Sequence, residues 1–333
     1  MMEISPMVEI KNLKKWFPIK SGFRSKSNLK AVDGVDLHIY RGETLGLVGE
    51  SGCGKTTIGR TLIKIYQPTD GEFLYRGEGS HEGEVDIFSL SESKMRPFRR
   101  EIQMVFQDPY ASLNPRITVH DIIAEGLRVH SLGKSREERK SMIAEVLEKV
   151  GLRPEYMYRY PHEFSGGQRQ RIGIARSMIL NPGLVICDEP VSALDVSVQA
   201  QVINLLEDLK HDFGLTYLFI AHDLAVVKHI CDRISVMYLG KIVETSETDQ
   251  LFDNPLHPYT RGLLSSIPVP NPHMRKTGKR EIVKGDIPSP VDPPETCRFV
   301  KRCPKAFDRC WKESPSLKEV SEGHFVSCFL YDE

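Results

Sequence analysis

The octapeptide GESGCGKT, Gly49 to Thr56, constrains this chain more than any other stretch. It fits the pattern G-x-x-x-x-G-K-S/T, with the short apolar run ETLGLV before it and the helix-like KTTIGRTLIKIY after it. A strand that breaks at glycines and enters a helix lets backbone N–H groups curl around phosphate oxygens, and the helix dipole adds a favourable field. Gly49, Glu50, Ser51, Gly52, Cys53 and Gly54 form the loop. Lys55 is expected to reach the β- and γ-phosphates of a nucleotide, Thr56 to ligate Mg²⁺ and Thr57 to lie beside the α-phosphate. A glycine turn without ligand is the bland alternative, and the strand–helix context argues against it.

LVICDEP supplies a second half to this chemistry. Asp188 ends an apolar strand, where a carboxylate can hold Mg²⁺ directly or through water. Glu189 follows it, placed to polarise an attacking water as general base. Such a pair could merely begin a loop; downstream of a phosphate loop it specifies an NTPase. The surrounding rhythm agrees: VEIKNLKKWF and AVDGVDLHIY read as strands, EIQMVFQ as another, and TYLFIAHD follows LVICDEP across the helix-like VSVQAQVINLLEDLKHDF. PIKSGFRSKSNLK, between the first two strands, reads as a solvated loop, and RGEGSHEGE as a flexible one. Strand, helix, strand implies an α/β fold with a parallel sheet and crossover helices. Residues from about 118 to 180 read as mainly helical. Lys plus Arg equals Asp plus Glu, 45 against 45, which argues against a chain devoted to a nucleic-acid backbone. No apolar run approaches a membrane span, and the start lacks the layout of a signal peptide, so a cytoplasmic chain is expected.

FSGGQRQR narrows the class. Ser165, Gly166, Gly167 and Gln168 lead into the helix RIGIARSMIL and form a second anion-binding helix start. One nucleotide does not need two cradles in one subunit, so the second is expected to close over a nucleotide held by another subunit. Over nearly all of residues 8 to 267 the sequence resembles the ATP-binding cassette family. The resemblance is carried by the phosphate loop, Gln107 in FQDP, SGGQ, CDEP, SALD (Ser192 to Asp195) and His222 in AHD, in that order. It implies ATP and Mg²⁺ as ligands and a phosphate-loop NTPase core with antiparallel β and helical subdomains. It further implies a head-to-tail pair of cassettes with two ATP molecules between them. By the same resemblance Phe17 stacks on adenine, with Trp16 the alternative and a buried strand aromatic the bland reading. Gln107 senses Mg²⁺ and the membrane partner, Asp195 bridges the two sites, and His222 contacts the γ-phosphate. Phe164 stands where the family has leucine, an apolar exchange that leaves the signature intact.

The flanks sharpen the resemblance. QMVFQDPYASLNPR, LFDNPLHPYTRGLLSSIPVP, IPSPVDPPETCRFVKRCPKAFDRC and GHFVSC are similar to the ATPases of oligopeptide and dipeptide importers, and the sector around the phosphate loop resembles their "F" type. That implies a paralogous ATPase as partner, two membrane permease subunits, an external substrate-binding protein and a place at the cytoplasmic face of the membrane. Relatives of this group serve oligosaccharides or nickel. The class rivals are soluble cassette ATPases that act on ribosomes or in iron–sulfur assembly; a single cassette with a long C-terminal extension disfavours them.

After Pro268 proline punctuation replaces periodicity, so residues 1–267 read as the nucleotide-binding domain and 268–333 as a loop-rich extension with hardly any core. Cys53 occupies a free position of the phosphate loop, where any small residue would serve, while Cys187 in LVIC and Cys231 in HICDRISV read as buried packing residues. Cys297, Cys303, Cys310 and Cys328 are spaced C-x5-C-x6-C-x17-C in the segment least able to fold by burial. Four thiolates suit zinc or a 4Fe–4S cluster, and the gaps exceed the tight pairs that zinc prefers. The expectation is one 4Fe–4S cluster, with nearby Arg298, Lys301, Arg302, Lys305 and Arg309 offsetting its charge; the family resemblance points the same way. A zinc staple, with His324 able to replace one cysteine, is the bland alternative, and a set of unligated thiols comes next.

Overall fold

The computed structural model of the chain describes residues 5–21, 25–77, 83–266, 283 and 285–332. The first strands, β1 (Val8–Ser21) and β2 (Ser25–Ile39), run well beyond the apolar segments that announced them. The stretch read as a solvated loop is thus mostly extended backbone, because pairing with a neighbour satisfies polar N–H and C=O groups whatever side chains they carry. Residues 22–24, within that stretch, and 78–82, within RGEGSHEGE, lie outside the described residues, as does the proline-rich run after Ser266.

β3 (Thr44–Val48) is buried throughout and delivers the chain to the glycine loop, after which α1 (Lys55–Leu62) begins. That helix stops a turn short of the apolar pattern, where Lys64 turns left-handed at φ 59°. β4 (Asp70–Tyr75), β5 (Val85–Asp86), α2 (Glu92–Glu101), β6 (Ile102–Val105) and α3 (Pro109–Ser112) follow. The helical stretch resolves into α4 (Val119–Val129), α5 (Arg136–Lys149) and α6 (Gly166–Met178). Thr118 and Ser135 cap the first two by accepting from the N–H groups of Asp121 and Glu138. β7 (Leu184–Asp188), α7 (Val196–Phe213) and β8 (Thr216–Ala221) lie where the sequence pattern put them. The chain continues with α8 (Leu224–Ile230), β9 (Arg233–Tyr238), β10 (Lys241–Glu247), α9 (Thr248–Asp253) and α10 (Pro258–Ser265). β11 (Lys318–Ser321) and β12 (His324–Val326) close it.

Two compact units cut across chain order: Met1–Val8, Ile39–Thr44 and Leu74–Ile220 form one, and Glu9–His38, Leu45–Phe73 and Ala221–Glu333 the other. In the first, β6, β7 and β8 run parallel, with Ile102 opposite Leu184 and Leu184 opposite Thr216. β7 and β8 are buried along their whole length, as expected for parallel strands covered on both faces. In the second, β3 runs parallel to β9, and β9 turns back antiparallel into β10. β12 adds antiparallel to β10, with Glu244 opposite Val326, and β11 adds to β12. The C-terminal extension therefore extends a sheet and also has a small core of Val300, Cys310 and Phe329, flanked by Cys297 and Ala306. Among the described residues no helix is long and apolar enough to cross a membrane.

Candidate functional site

The glycine loop occupies the second unit. Gly49, Gly52 and Gly54 take φ values of 155°, 80° and 116°, and a Cβ on Gly54 would stand 2.1 Å from the Ala31 carbonyl oxygen. Glycine is therefore obligatory at Gly54, for conformation and for space alike. At Gly52 a Cβ would meet nothing within 4 Å, so the loop opens onto free space there. Lys55 is buried, and its ammonium donates to the Gly49 carbonyl at 2.7 Å and the Glu50 carbonyl at 3.1 Å. This curled backbone, a lysine at its centre and a helix start beyond it form a donor set suited to a polyphosphate. Thr56 and Thr57 sit in the first turn of α1. Cys53 is buried with Sγ 3.8 Å from the Lys55 ammonium, and burial pushes its thiol pKa up. It is a packed, protonated thiol, as is Cys187 in β7. Cys231 is buried as well, and its Sγ leaves room only for glycine at position 46.

Several neighbours of the loop were not signalled by local sequence. The Glu50 N–H donates to the Tyr259 hydroxyl at 2.9 Å, and the Glu50 carboxylate accepts two bonds from Arg302, at 2.6 and 2.9 Å. On β1, Phe17 meets Tyr66 edge to face at 5.3 Å with the Lys15 ammonium 4.7 Å from its ring centre. Trp16 is tied down instead: its indole N–H donates to Asp33 at 3.0 Å, and Lys30 lies 4.8 Å over its ring. His222 is exposed just past the end of β8.

The first unit brings Gln107 and Glu189 together: the Gln107 amide donates to the Glu189 carboxylate at 2.9 Å. Glu189 takes a left-handed φ of 46°, unusual for a side chain of this size, and its N–H is held by the Ile220 carbonyl at 2.9 Å. Such local strain persists only where the surroundings over-determine it. Asp188, immediately before it, is fully buried. The SGGQ segment begins α6 as a reciprocal cap: Ser165 Oγ accepts from the Gln168 N–H, and the Gln168 side chain accepts from the Ser165 N–H. Gly166 continues the segment, and Gly167 is required for packing, since a Cβ there would lie 2.3 Å from Val198. Asp195 caps α7, its carboxylate accepting from Val198 N–H at 3.0 Å and Ser197 Oγ at 2.7 Å, which holds its pKa down.

The expected cysteine cluster is not formed as a ligand set. Cys297, Cys303, Cys310 and Cys328 gather in the extension, and the other three thiols all lie close enough to Cys297 to act on it electrostatically. Yet among the described residues no group of three or more His, Cys, Asp or Glu side chains is arranged to hold a metal ion. Burial pushes Cys297 up to about 12 and Cys328 up to about 11, values that favour neutral thiols. The nearby cations are also committed elsewhere. Arg298 pairs with buried Asp33, Arg302 with Glu50, and Arg309 with Glu313 and Asp332, while Lys301 and Lys305 are exposed. His324, the alternative zinc ligand, is fully buried and donates from Nε2 to Glu244 at 2.8 Å.

The profile of the family described as "ABC transporter" matches residues 32–192, and that described as "Oligopeptide/dipeptide transporter, C-terminal region" matches residues 243–310. The oligopeptide transport ATP-binding protein AppF of Bacillus subtilis (strain 168) is 55% identical over 328 residues, covering 98% of this chain and 97% of the relative. OppF of Escherichia coli (strain K12), also an oligopeptide transport ATP-binding protein, is 51% identical over 330 residues, covering 98% and 96%. Among solved structures, the dimeric ABC transporter cassette MJ0796 superposes with a TM-score of 0.63 at 28% identity, covering 73% of this chain and 99% of that one. Its post-hydrolysis form, bound to ADP and Pi, gives 0.62. With a glycine-cradled lysine, a strand-end acidic pair and full-length similarity of this kind, the chain belongs to the ATP-binding cassette ATPases, within the family of oligopeptide transport ATP-binding proteins.

Proposed function

We propose that this chain is one ATPase subunit of an importer that takes up oligopeptides or dipeptides across the cytoplasmic membrane. The observation that carries the reading is end-to-end similarity to oligopeptide transport ATP-binding proteins, extending through the C-terminal region. ATP is held by the loop from Gly49 to Thr57, with Lys55 turning from the Gly49 and Glu50 carbonyls to the β- and γ-phosphates. Phe17 stacks on adenine, while the Trp16 indole is held by its hydrogen bond to Asp33. Thr56, Gln107 and Asp188 would hold Mg²⁺, which would offset phosphate charge. Glu189 accepts a proton from the attacking water as the new oxygen–phosphorus bond forms and the bond to the ADP oxygen breaks. The Gln107 bond to Glu189 ties that carboxylate to the segment expected to sense the membrane partner. His222 contacts the γ-phosphate. Ser165, Gly166, Gly167 and Gln168 cover the ATP of a second, paralogous cassette, and Asp195 links the two sites.

In this reading the chain works at the cytoplasmic face beneath two permease subunits fed by an external binding protein, and substrate choice lies with those partners. Affinity purification from native membranes tests it: a second ATPase, two permeases and peptide-stimulated ATP hydrolysis are expected. Permeases whose binding protein selects oligosaccharide or nickel would replace the peptide reading, and a stable ribosome complex without permeases would end it.

We also propose that the four thiols of the extension hold a 4Fe–4S cluster. Their mutual proximity supports this reading. Four deprotonated ligands would have to be drawn in as the cluster is inserted. Anaerobically purified protein is expected to be brown and to contain iron and acid-labile sulfide. Colourless protein with stoichiometric zinc, or with no metal, refutes the cluster.

A further inference from the structure

Residues Arg298 to Arg302 of the extension reach the nucleotide end of their own unit at three points. Arg298 pairs with Asp33, which also accepts from the Trp16 indole. Phe299, 1% exposed, fits between Tyr238, Tyr259 and His257, with ring centres 5.2, 5.4 and 5.6 Å away. Arg302, its side chain 6% exposed, grips both carboxylate oxygens of Glu50 and also approaches the Tyr238 hydroxyl at 3.4 Å. Glu50 is thereby held from all sides. Its N–H donates to Tyr259, its carbonyl accepts from Lys55 and from the Cys53 N–H, and its carboxylate is forked onto Arg302.

Glu50 is an awkward residue for its position. A carboxylate in a loop built to receive a polyphosphate repels the ligand unless a cation neutralises it. The neutralising cation stands 252 residues later in the chain, and its two-pronged bond fixes orientation as well as charge. We propose that Arg302 is a positioning residue of the nucleotide site: by pairing with Glu50 it holds the phosphate loop and keeps the loop's field favourable to anions. The extension is then part of the ATP-binding apparatus of its own subunit. This inference rests on the reading of Gly49–Thr57 as the ATP loop.

The test uses the full chain and MgATP binding by equilibrium dialysis, with ADP and adenosine in parallel. Arg302→Met is expected to weaken ATP binding about tenfold, ADP less and adenosine hardly at all, because the unmasked carboxylate acts in proportion to ligand charge. Adding Glu50→Gln to Arg302→Met is expected to restore ATP affinity to within about threefold of the parent, since the repelling charge is gone. Arg302→Lys, which keeps the charge and loses the fork, falls between the two and serves if the methionine variant does not fold. Unchanged ATP affinity in both Arg302 variants overturns the proposal. So does an equal loss for all three ligands, or a loss that Glu50→Gln fails to relieve. Absence of ATP binding by the parent chain would instead refute the assignment of the loop itself.

Discussion

Acid should loosen the junction between β10, α10 and β12, and His257 sets the size of the effect. Its Nδ1 accepts the Tyr259 N–H at 3.0 Å and so caps α10, which requires the neutral ring. His257 is 2% exposed; burial lowers its pKa from 6.5 to about 4, with the Glu244 carboxylate pulling weakly the other way. Glu244 is itself engaged, accepting from the Leu256 and His257 N–H groups at 2.7 and 2.9 Å and from His324. Because the folded state resists the proton, the unfolded chain takes it up first as pH falls. The stabilisation is full above the unfolded value of 6.5 and is lost as pH drops toward about 4. Those two values correspond to a loss of about 2 kcal/mol by about pH 5 and about 3 kcal/mol in the acid limit.

Urea unfolding near neutrality and at about pH 5 reads the loss directly, and His257→Asn isolates it, because asparagine caps a helix without titrating. The wild type should lose about 2 kcal/mol more than His257→Asn over that interval. The protection factor of the Tyr259 amide, its exchange rate relative to the unstructured rate at the same pH, should fall in acid only in the wild type, since a protonated ring cannot accept its N–H. Equal pH dependence of the two proteins would refute the assignment to His257.

Glu189→Gln should abolish steady-state ATP hydrolysis while leaving MgATP binding intact, and unchanged turnover in a phosphate-release assay would remove Glu189 from its role. Gly54→Ala should cost ATP affinity at least about tenfold, because its Cβ would collide with the Ala31 carbonyl in a left-handed turn; normal binding by calorimetry would show that the loop relaxes freely. Phe299→Ala should destabilise the unit by about 3–5 kcal/mol in urea unfolding, and a loss under about 1 kcal/mol would mean that the aromatic cluster collapses to fill the gap.

What was legible in the sequence is what is encoded locally. The phosphate loop needs glycines and a lysine within eight residues, and its conformation follows from those residues and from the strand and helix that flank it. α7 was bounded at both ends because its stop signals are chemical: Asp195 accepts the first N–H groups and Gly214 turns left-handed at φ 63°. The β9–β10 hairpin was missed because β9 is a short apolar run whose period does not separate strand from helix, and β10, KIVETSE, buries Glu244, Thr245 and Ser246 despite their polar character. β11 was beyond reach for the opposite reason. Its four residues are all exposed, and only pairing with β12 makes them a strand.

The extension shows the same limit in its charges. Five cations crowded around four cysteines read as a counter-charge for an anionic cluster, because sequence proximity was the only distance available. Folding sends Arg298 to a partner 265 residues away and Arg302 to one 252 residues away, so the crowding in sequence is not crowding in space. Removing either partner would leave a buried arginine without its counter-ion, the expensive way to break a buried pair. These two arginines are therefore not at the disposal of the thiols. Backbone N–H groups of Phe299 and Leu330 already hydrogen-bond to Cys297 and Cys328, lowering their pKa values against the effect of burial, and would offer a cluster in this segment part of its compensation. Iron and sulfide content, rather than charge substitution at Arg298 or Arg302, is thus the measurement that bears on the cluster, because substituting those arginines would disturb the Asp33 and Glu50 contacts first.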